Sequence, residues 1–366
     1  MDLRALWSQQ QSRATSRRQL VEELRPVYAG LLARGTEPFF EPKLVACPLC
    51  KSDQVESLFT MPDVYQFKPG RFAIDECAAC GHVFQNPPLS VEGLAFYYRD
   101  FYDGLGGALS ESFFGSVDDW YRARARSVEG MVKPRTWLDV GGSGGQFCKV
   151  ARVVFPDARF DLLDFSASAD AAVRTGHVDR AYRGLLLELA PRIAEERGAY
   201  DVVSMGHYLE HTRDPVAEVR AAASLVAPGG VLLVELPDPD SRLQRALGRL
   251  GVNWLQPQHL HLLTATNLES IARGAGLRVE RTLRGEAHLP HDFTYALILA
   301  VRILAKPYDV PWRAARSAPS RAFARAVLLL ALPLLPLARL LDAGIAPALR
   351  RPGLANCFRV VARRPQ

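Results

Sequence analysis

Short apolar segments alternate with segments of helical apolar spacing through the middle of the chain, and this order predicts an α/β fold. Residues 137–140 form an almost continuous apolar run, which ends in a glycine cluster and is followed by helical spacing over residues 146–154. Residues 160–163 and 200–205 form further runs of this kind. Because parallel strands buried on both faces have near-continuous apolar runs, we expect a doubly wound, mostly parallel sheet.

The glycine cluster is the first candidate binding site. The segment from Thr136 to Gly145 reads Thr-Trp-Leu-Asp-Val-Gly-Gly-Ser-Gly-Gly, and glycines let backbone N–H groups approach a ligand with no Cβ in the way. Asp164 ends the next apolar run, 19 residues after Gly145, where a carboxylate is placed to accept hydrogen bonds from ribose hydroxyls. The dinucleotide fingerprint Gly-x-Gly-x-x-Gly fails, because its third glycine would fall on Phe147. The pattern therefore predicts a different nucleoside ligand.

The segment Leu-Asp-Val-Gly-Gly-Ser-Gly-Gly resembles motif I of the class I S-adenosylmethionine-dependent methyltransferases, in which Asp139, Gly141 and Gly145 match. Ser143 stands where a glycine is usual, and since serine adopts a positive φ poorly, we expect a differently shaped loop. The resemblance implies S-adenosylmethionine as cofactor and a seven-stranded sheet, whose last strand (357–362) inserts antiparallel between the fifth and sixth. A tight turn in another α/β enzyme is the alternative. The implied cofactor-binding residues are Asp139, Gly141, Gly142, Ser143, Gly145, Asp164, Phe165, Gly206 and His207.

A polar segment, Gly-His-Tyr-Leu-Glu-His, follows the predicted strand 200–205, where open α/β sheets bind their ligands. Its Tyr-x-Glu-His resembles the sugar C-methyltransferases of deoxysugar pathways, with Tyr208, Glu210 and His211 at the matching positions. A histidine can take a proton near neutral pH, so we expect His211 to be the general base and Glu210 to orient it. The same resemblance implies an active-site role for His259. The alternative is that Glu210 and His211 only cap and brace a helix.

Three further patterns lie downstream. Residues 225–235 predict a helix end, a Pro-Gly-Gly turn and a fifth strand, and residues 277–283 predict a sixth strand. His259 and His261 are two positions apart, so they would share one face of an extended segment. The helix that follows is expected to begin at Thr264 or Thr266.

Four of the six cysteines form two Cys-x2-Cys pairs with 26 residues between them: Cys47, Cys50, Cys77 and Cys80. Such pairs in a chain without a secretory signal favour a zinc site over disulfides. No coordination position remains open for water, so we expect a structural, zinc-ribbon-like site. Residues 55–59 and 71–75 are the strands predicted around it. Cys148 and Cys357 are expected to be small core residues.

An aromatic helix follows the cysteine pairs and contains Phe96, Tyr97, Tyr98, Phe101 and Tyr102. Helical spacing predicts that most of these residues lie in the core. The order of cysteine pairs, tyrosine-rich helix and methyltransferase motif is similar to zinc-containing methyltransferases that include the sugar C-methyltransferases. In that group a tyrosine from this part of the chain reaches over the substrate, which implies that role for either Tyr98 or Tyr102.

The formal net charge of +6 is concentrated in the last part of the chain. From Arg302 onward there are 12 Arg and Lys against two Asp, so this part carries +10 and the remainder −4. Basicity confined to a tail does not predict nucleic-acid binding. Residues 327–341 are apolar but interrupted by Pro333 and Pro336, too short and broken to span a bilayer. With the arginines over 313–351 they fit a peripheral membrane contact, while helices packed on the domain or in a dimer interface remain an equal alternative.

Residues 1–24 are polar and basic without an apolar core, so no signal peptide is expected. The expected localisation is cytoplasmic, with the membrane contact at the inner face of the membrane; the oligomeric state is left open. The predicted domain order is a helical arm (1–43), a zinc-binding module (44–90), an aromatic helical linker (91–130), a methyltransferase core (131–287), a helical insertion (288–354) and the final strand and tail (355–366). Within the arm, residues 13–34 are expected to form one amphipathic helix, broken or kinked at Pro26.

These observations predict methyl transfer from S-adenosylmethionine to a small-molecule acceptor. The resemblance implies a nucleotide- or lipid-linked sugar, methylated on carbon or oxygen. One alternative is an O-methyltransferase for a quinone, phenol or lipid, in which Glu210 and His211 act through a divalent ion. The other is a non-catalytic binding protein, for which Ser143 in the glycine motif is the only sequence indication.

Overall fold

The computed structural model describes residues 3–100, 117–351 and 353–366; Phe101 and Tyr102 of the aromatic segment lie outside them. The helices are α1 (Leu3–Leu31), α2 (Val91–Tyr98), α3 (Asp118–Arg126), α4 (Gln146–Val154), α5 (Ser168–Arg174), α6 (Leu186–Arg197), α7 (Pro215–Leu225), α8 (Arg242–Leu247), α9 (Ala265–Gly274), α10 (Asp292–Ala305), α11 (Ala318–Ala331) and α12 (Leu334–Leu349). The strands are β1 (Val55–Met61), β2 (Phe72–Cys77), β3 (Val83–Gln85), β4 (Thr136–Val140), β5 (Arg159–Asp164), β6 (Arg180–Arg183), β7 (Tyr200–Gly206), β8 (Val226–Pro237), β9 (His261–Leu262), β10 (Arg278–Leu283) and β11 (Cys357–Arg363).

The larger sheet has seven strands in the order β10-β11-β8-β7-β4-β5-β6. Strand β11 is antiparallel to both β10 and β8, whereas the pairs from β8 to β6 are parallel. The prediction that the last strand inserts antiparallel between the fifth and sixth is therefore confirmed. The carboxyl ends of β4, β5, β7 and β8 all meet at one edge, where the ligands of such sheets bind.

Successive residues of each central strand pack into two different hydrophobic cores, one on each face of the sheet. Leu138 and Val203 pack with helices α6, α7 and α9, while their neighbours Trp137 and Val202 pack with α4 and α5 on the opposite face. This alternation follows from the two-residue period of a strand. Because both faces are covered by helices, each of these strands contains a short run of mostly apolar residues, which is the pattern that revealed them in the sequence.

Two boundaries differ from the sequence prediction. Helix α1 begins at Leu3 and continues through Pro26, whereas residues 13–34 were expected to form a helix broken or kinked at that proline. Strand β8 begins at Val226, so the Pro-Gly-Gly segment is part of an irregular strand start and the predicted turn before the strand is wrong. Gly229 has φ +76° there, and the pairing with β7 shifts register between Tyr200 and Val202.

The four cysteines lie in a smaller sheet of order β1-β2-β3-β9. Strand β9 comes from the part of the chain between β8 and β10 of the large sheet, and it pairs antiparallel with β3 through Val83–Leu262 and Phe84–His261. The side chain of Asn267, on α9, also donates a hydrogen bond to the backbone oxygen of Cys80 at 2.9 Å. The cysteine module is thus attached to the chain segment that leads away from His259.

Helices α10, α11 and α12 lie between β10 and β11 in the chain, as the predicted helical insertion requires, and α10 contacts both of the others. Among the described residues, no single helix has the length and apolar composition needed to cross a membrane. The pair α11 and α12 meets that test only when taken together, and it is bent by 43°.

Candidate functional site

A cavity of about 290 Å³ lies at the carboxyl edge of the large sheet. Its walls come from the glycine loop, from α3, from the segment after β7, and from residues near β9. Tyr65 and Gln66 of the cysteine module, Tyr295 of α10 and Asn356 before β11 also line it. The helical insertion and the cysteine module therefore complete a site that begins at the edge of the large sheet.

The predicted cofactor-binding residues divide into two groups. Those that line the cavity are Asp139, Gly141, Gly142, Ser143, Gly206 and His207. Gly145, Asp164 and Phe165 lie outside its lining, although Asp164 is hydrogen-bonded to the glycine loop. Phe165 follows Asp164 directly and is 47% exposed.

The glycine loop is tightly packed where the sequence has glycine. A Cβ on Gly141 would lie 2.6 Å from Cδ2 of Tyr208, and one on Gly142 would lie 2.3 Å from Oδ2 of Asp139. Ser143 adopts φ +49°, the left-handed conformation that a glycine would take at low cost. Its backbone N–H donates to Oδ2 of Asp164 at 2.8 Å. Serine thus keeps the left-handed turn, even though the sequence suggested a differently shaped loop.

Asp139 and Asp164 serve the loop in different ways. Asp164 accepts from the backbone N–H groups of Ser143 and Ser166, both at 2.8 Å, and each of its oxygens keeps a further lone pair. Asp139 is buried beneath the loop and accepts from the hydroxyl of Ser204 at 2.6 Å. Burial raises the pKa of Asp139 to about 6, and it outweighs the hydrogen bond from Ser204 and the charge of Arg124, which both lower that pKa. Asp139 therefore braces β4 against β7, whereas Asp164 faces the loop.

A buried ion cluster holds α3 over the glycine loop, and sequence analysis missed it. Nη2 of Arg124 lies 2.6 Å from Oε1 of Glu235, and Arg359 donates to the other oxygen of the same carboxylate. The Arg124 guanidinium also stacks 4.4 Å from the ring centre of Trp120 and 5.3 Å from that of Tyr121. These aromatic residues line the cavity. No motif marks them, and the cluster joins residues as far apart in the chain as Arg124 and Arg359.

His211 is held in one tautomer. Its Nδ1 lies 2.9 Å from the backbone oxygen of Gln258, and because a carbonyl can only accept, Nδ1 carries the proton. Nε2 is then the unprotonated nitrogen. The hydroxyl of Tyr98 donates to the same carbonyl at 2.9 Å and lies 3.2 Å from Nδ1. Burial lowers the pKa of His211, so the neutral imidazole is favoured.

Glu210 and His259 flank His211. His207 donates through Nδ1 to Oε1 of Glu210 at 3.0 Å, while Oε2 of Glu210 is buried without a hydrogen-bond partner among the described residues. Burial alone would raise the pKa of Glu210, but the hydrogen bond and charge of His207, with the other two histidines, lower it to about 2. His259 donates through Nδ1 to the backbone oxygen of Asn253 at 2.8 Å, and burial lowers its pKa to about 4.

Glu210, His211 and His259 each offer one ligand atom within 4.8 Å of the others. The rings of His211 and His259 lie 5.0 Å apart, nearly perpendicular to each other. Both rings donate Nδ1–H to a backbone carbonyl, which leaves both Nε2 atoms as acceptors. The group can therefore hold a proton or a cation.

Tyr208 and His261 do not join this group. The hydroxyl of Tyr208 donates to Oε2 of Glu218 on α7 at 3.0 Å, and Tyr208 is absent from the cavity lining. His261 contacts Nε2 of His82 at 3.2 Å and the backbone oxygen of Arg213 at 3.2 Å. His259 follows a turn and lies outside β9, whereas His261 is within that strand. The two histidines therefore face different surroundings, and the expectation that they share one face is wrong.

The sulfur atoms of Cys47, Cys50, Cys77 and Cys80 all lie within 4.8 Å of one another. The Cys47–Cys80 distance is 3.7 Å and the Cys50–Cys77 distance is 3.5 Å. Sulfurs bound at about 2.3 Å around one tetrahedral ion would be about 3.8 Å apart, so the arrangement fits that geometry. Cys148 is buried in the core as expected, and Cys357 is buried at the cavity wall.

Comparison with known proteins identifies a family model and related sequences. Residues 119–282 match the family model described as Methyltransferase domain. The chain is 31% identical over 188 residues to the Ubiquinone biosynthesis O-methyltransferase of Bordetella avium, covering 49% of this chain and 75% of the relative. It is 34% identical over 191 residues to the protein of that name from Ralstonia nicotianae, with the same coverage. A SAM dependent methyltransferase structure from Archaeoglobus fulgidus, 16% identical, aligns with 70% of this chain and 99% of its own at a TM-score of 0.43.

Proposed function

This chain belongs to the class I S-adenosylmethionine-dependent methyltransferases, and we propose that it methylates a small-molecule acceptor from which His211 removes a proton. One observation carries the proposal: the Nδ1 proton of His211 is fixed on the Gln258 carbonyl, which leaves Nε2 unprotonated in a residue that lines the cavity. Burial keeps this imidazole neutral, as a general base requires.

The cofactor is proposed to bind along the glycine loop. The backbone from Gly141 to Gly145 would hold its methionine end, and Asp164 would accept hydrogen bonds from its ribose. Phe165, which is half exposed beside Asp164, would contact the adenine ring of the cofactor. The lone pairs that Asp164 retains after binding Ser143 and Ser166 support this assignment.

The cofactor supplies an electrophilic methyl group, and the protein's residues prepare the acceptor. An acceptor O–H or C–H would lose its proton to Nε2 of His211, which would leave the oxygen or carbon an electron pair to accept the methyl group as the methyl–sulfur bond breaks and its electron pair stays on sulfur. Tyr98 would position His211 through the shared Gln258 carbonyl. Glu210, ionised at neutral pH, would stabilise the imidazolium that forms. The walls of the cavity contribute by aligning the reactants.

Two acceptor classes are supported by separate observations. The names of the relatives favour an oxygen on a quinone or phenol ring, and the aromatic walls of the cavity, which include Tyr65, Tyr121 and Tyr295, suit a planar ring. The Tyr98–His211–Glu210 arrangement beside a four-cysteine module favours a nucleotide- or lipid-linked sugar. We favour the ring oxygen, because Tyr208 of the sugar-type motif is directed to Glu218.

The acceptor class can be tested with labelled S-adenosylmethionine. Purified protein would be offered a panel of hydroxylated quinones and catechols and, separately, a panel of keto and hydroxy sugar nucleotides. Label appearing as an O-methyl group on the ring compounds is the expected result. Transfer to the sugars alone would overturn the acceptor assignment while leaving the methyltransferase function intact.

A divalent ion at Glu210, His211 and His259 is the alternative mechanism for a phenolic acceptor. Oε2 of Glu210, which has no hydrogen-bond partner among the described residues, and the two acceptor Nε2 atoms suit such an ion. In this case a chelator would abolish activity while the cysteine module stays folded. Retention of full activity in the presence of the chelator is the result that our base mechanism requires. If no S-adenosylmethionine binds by calorimetry, the non-catalytic alternative is favoured.

We also propose that Cys47, Cys50, Cys77 and Cys80 hold a structural zinc ion. Their sulfur spacing supports this, and all four positions would be filled by protein ligands. We further propose that the chain is organised, in order, as arm, zinc module, linker, core, insertion and final strand. Through β9, the zinc module would stabilise the segment that carries His259.

A further inference from the structure

The two helices α11 and α12 carry a large apolar surface that the rest of the described chain leaves uncovered. Its most exposed members are Leu329, Leu330, Leu332, Leu337 and Leu340, which are 61 to 74% exposed. We call these five residues the leucine face. Contiguous exposed apolar surfaces of this kind mark sites that bind a partner.

The pattern of burial in these helices is the reverse of that in an ordinary surface helix. Helix α10 contacts both α11 and α12, and the residues that are buried include the small Ala324 and Ala346. The large leucines point outward, whereas a helix of a globular domain turns such residues to its core. The helices are thus attached to the protein on one side and offer an apolar side to the outside.

The exposed charges on α11 and α12 themselves are all positive. Arg321, Arg325 and Arg339 are exposed on the helices themselves, and two further arginines follow α12. Asp342 is the one acidic residue between positions 318 and 351, and it is buried, where it accepts from the backbone N–H groups of Phe293 and Thr294 at 2.9 Å. An anionic partner therefore meets no exposed carboxylate on α11 or α12.

From these observations we propose that the leucine face docks on a bilayer surface that contains anionic lipid headgroups. The leucines enter the boundary between headgroups and acyl chains, while the arginines bind phosphate groups. The contact is peripheral, because α10 holds the inner side of both helices and the pair is bent by 43°.

A second copy of the chain fits this surface less well. A symmetric contact places the same patch on both subunits, so Arg321, Arg325 and Arg339 of the two copies would approach one another. No exposed carboxylate between positions 318 and 351 is available to pair with them. Apolar surface rimmed by one sign of charge complements an anionic lipid surface better than it complements itself.

The position of the leucine face has one consequence for the acceptor, and this consequence rests on the proposed function. Helix α10 contacts both membrane-facing helices and also carries Tyr295, which lines the cavity. An acceptor with a long apolar tail can then keep its tail in the bilayer while its reactive head occupies the cavity. Docking itself depends on neither cofactor nor acceptor.

Vesicle flotation of the full-length protein tests the docking. Vesicles of equal parts phosphatidylcholine and phosphatidylglycerol should carry the protein upward, and pure phosphatidylcholine should do so weakly. Leu330→Ser combined with Leu337→Ser should lower the partition coefficient by about tenfold or more. Arg321→Glu combined with Arg325→Glu should lower it by about 30-fold or more on the anionic vesicles and should weaken its dependence on salt. Val153→Ser, which removes an apolar residue 74% exposed on α4, is the matched control and should float as the parent does.

Circular dichroism and melting curves report folding of each variant independently of cofactor binding, and the arginine pair keeps the test valid if the leucine pair misfolds. The proposal is overturned if the parent protein binds neither type of vesicle. It is also overturned if the protein binds both types equally and salt does not change that binding. A dimer in sedimentation that the leucine variants dissociate, with flotation unaffected, would instead make the leucine face a contact between copies. Failure to bind S-adenosylmethionine would overturn the proposed function and leave the docking result standing.

Discussion

The hydroxyl oxygen of Tyr98 lies 3.2 Å from Nδ1 of His211, although the two residues are 113 positions apart in the chain. Both groups donate to the backbone oxygen of Gln258, so one carbonyl fixes the tyrosine and the histidine together. The aromatic helix α2 and the segment after β7 are thereby tied to the loop before β9. The tautomer of His211 depends on this three-way contact, and the proposed base chemistry depends on the tautomer.

His211→Ala should lower turnover by about 10²–10⁴-fold, because a positioned general base contributes that factor. Affinity for S-adenosylmethionine, measured by calorimetry, should change little. In the parent, only the neutral imidazole can accept a proton, so the rate should fall as pH drops through the pKa of His211. Burial lowers that pKa, so the fall should come below the ordinary value of 6.5. Tyr208→Phe is the control: its hydroxyl bonds to Glu218, away from the cavity, and turnover should stay near the parent's.

Tyr98→Phe should reduce turnover by up to about tenfold, because one hydrogen bond that positions His211 is lost. The KM for the cofactor should remain unchanged, since Tyr98 bonds the Gln258 carbonyl and not the glycine loop. Tyr97→Phe provides a matched comparison, because the Tyr97 hydroxyl donates to the backbone oxygen of Pro69. An equal loss in both variants would show that α2 acts only through its packing.

Asp164→Ala should weaken S-adenosylmethionine binding by about 1.5–3 kcal/mol, the range for hydrogen bonds to a charged acceptor. Part of this loss will come from the freed N–H groups of Ser143 and Ser166. Asp170→Ala, on the nearby helix α5, removes an exposed carboxylate and should bind as the parent does. Unchanged affinity in Asp164→Ala, measured by calorimetry, would remove Asp164 from the cofactor site.

The large sheet was predictable because its signals are local in sequence. Each buried strand is a short apolar run, and the turn after β4 requires glycines where a Cβ would collide with Tyr208 or Asp139. The final strand was recognised through family resemblance, since residues 357–362 alone show only a β-branched centre. The same local reasoning found Glu210, His211 and the four cysteines, which the structure brings into two clusters.

Contacts between distant segments were beyond such reasoning. Sequence left Tyr98 and Tyr102 equivalent, and only the packing of α2 brings Tyr98 to His211. The sequence pattern predicted that Tyr208 lies at the active site. The direction of a side chain on a tight turn depends on its partner, however, and the Tyr208 hydroxyl donates to Glu218. The Arg124–Glu235–Arg359 cluster carries no motif at all, because its members come from a helix and two strands that meet only in the fold.

Glu235→Gln should lower the free energy of unfolding by about 3–5 kcal/mol, because two buried arginines would lose their shared counter-charge. Burial by itself would raise the pKa of Glu235, but Arg124 and Arg359 outweigh it and lower that pKa. The stability from this carboxylate is therefore fully present above its ordinary pKa of 4.5 and is lost as pH falls through the lowered value. Chemical denaturation at several pH values measures both effects. Glu188→Gln, on the exposed side of α6, should change stability by less than about 0.5 kcal/mol.

The cysteine module should contain close to one zinc ion per chain by elemental analysis, because four thiolates fill a tetrahedral site. Cys77→Ser should release the ion and destabilise the small sheet, since metal-binding energy is folding energy in such sites. The loss should extend to the segment 259–262, because β9 pairs with β3 and Asn267 bonds to Cys80. Hydrogen exchange should therefore rise at β3 and β9 together, while β4 and β5 stay protected. Cys148→Ala leaves all four thiols in place and should keep the zinc content of the parent. A metal-free parent protein, or an unchanged melting curve and exchange pattern in Cys77→Ser, would contradict the zinc assignment.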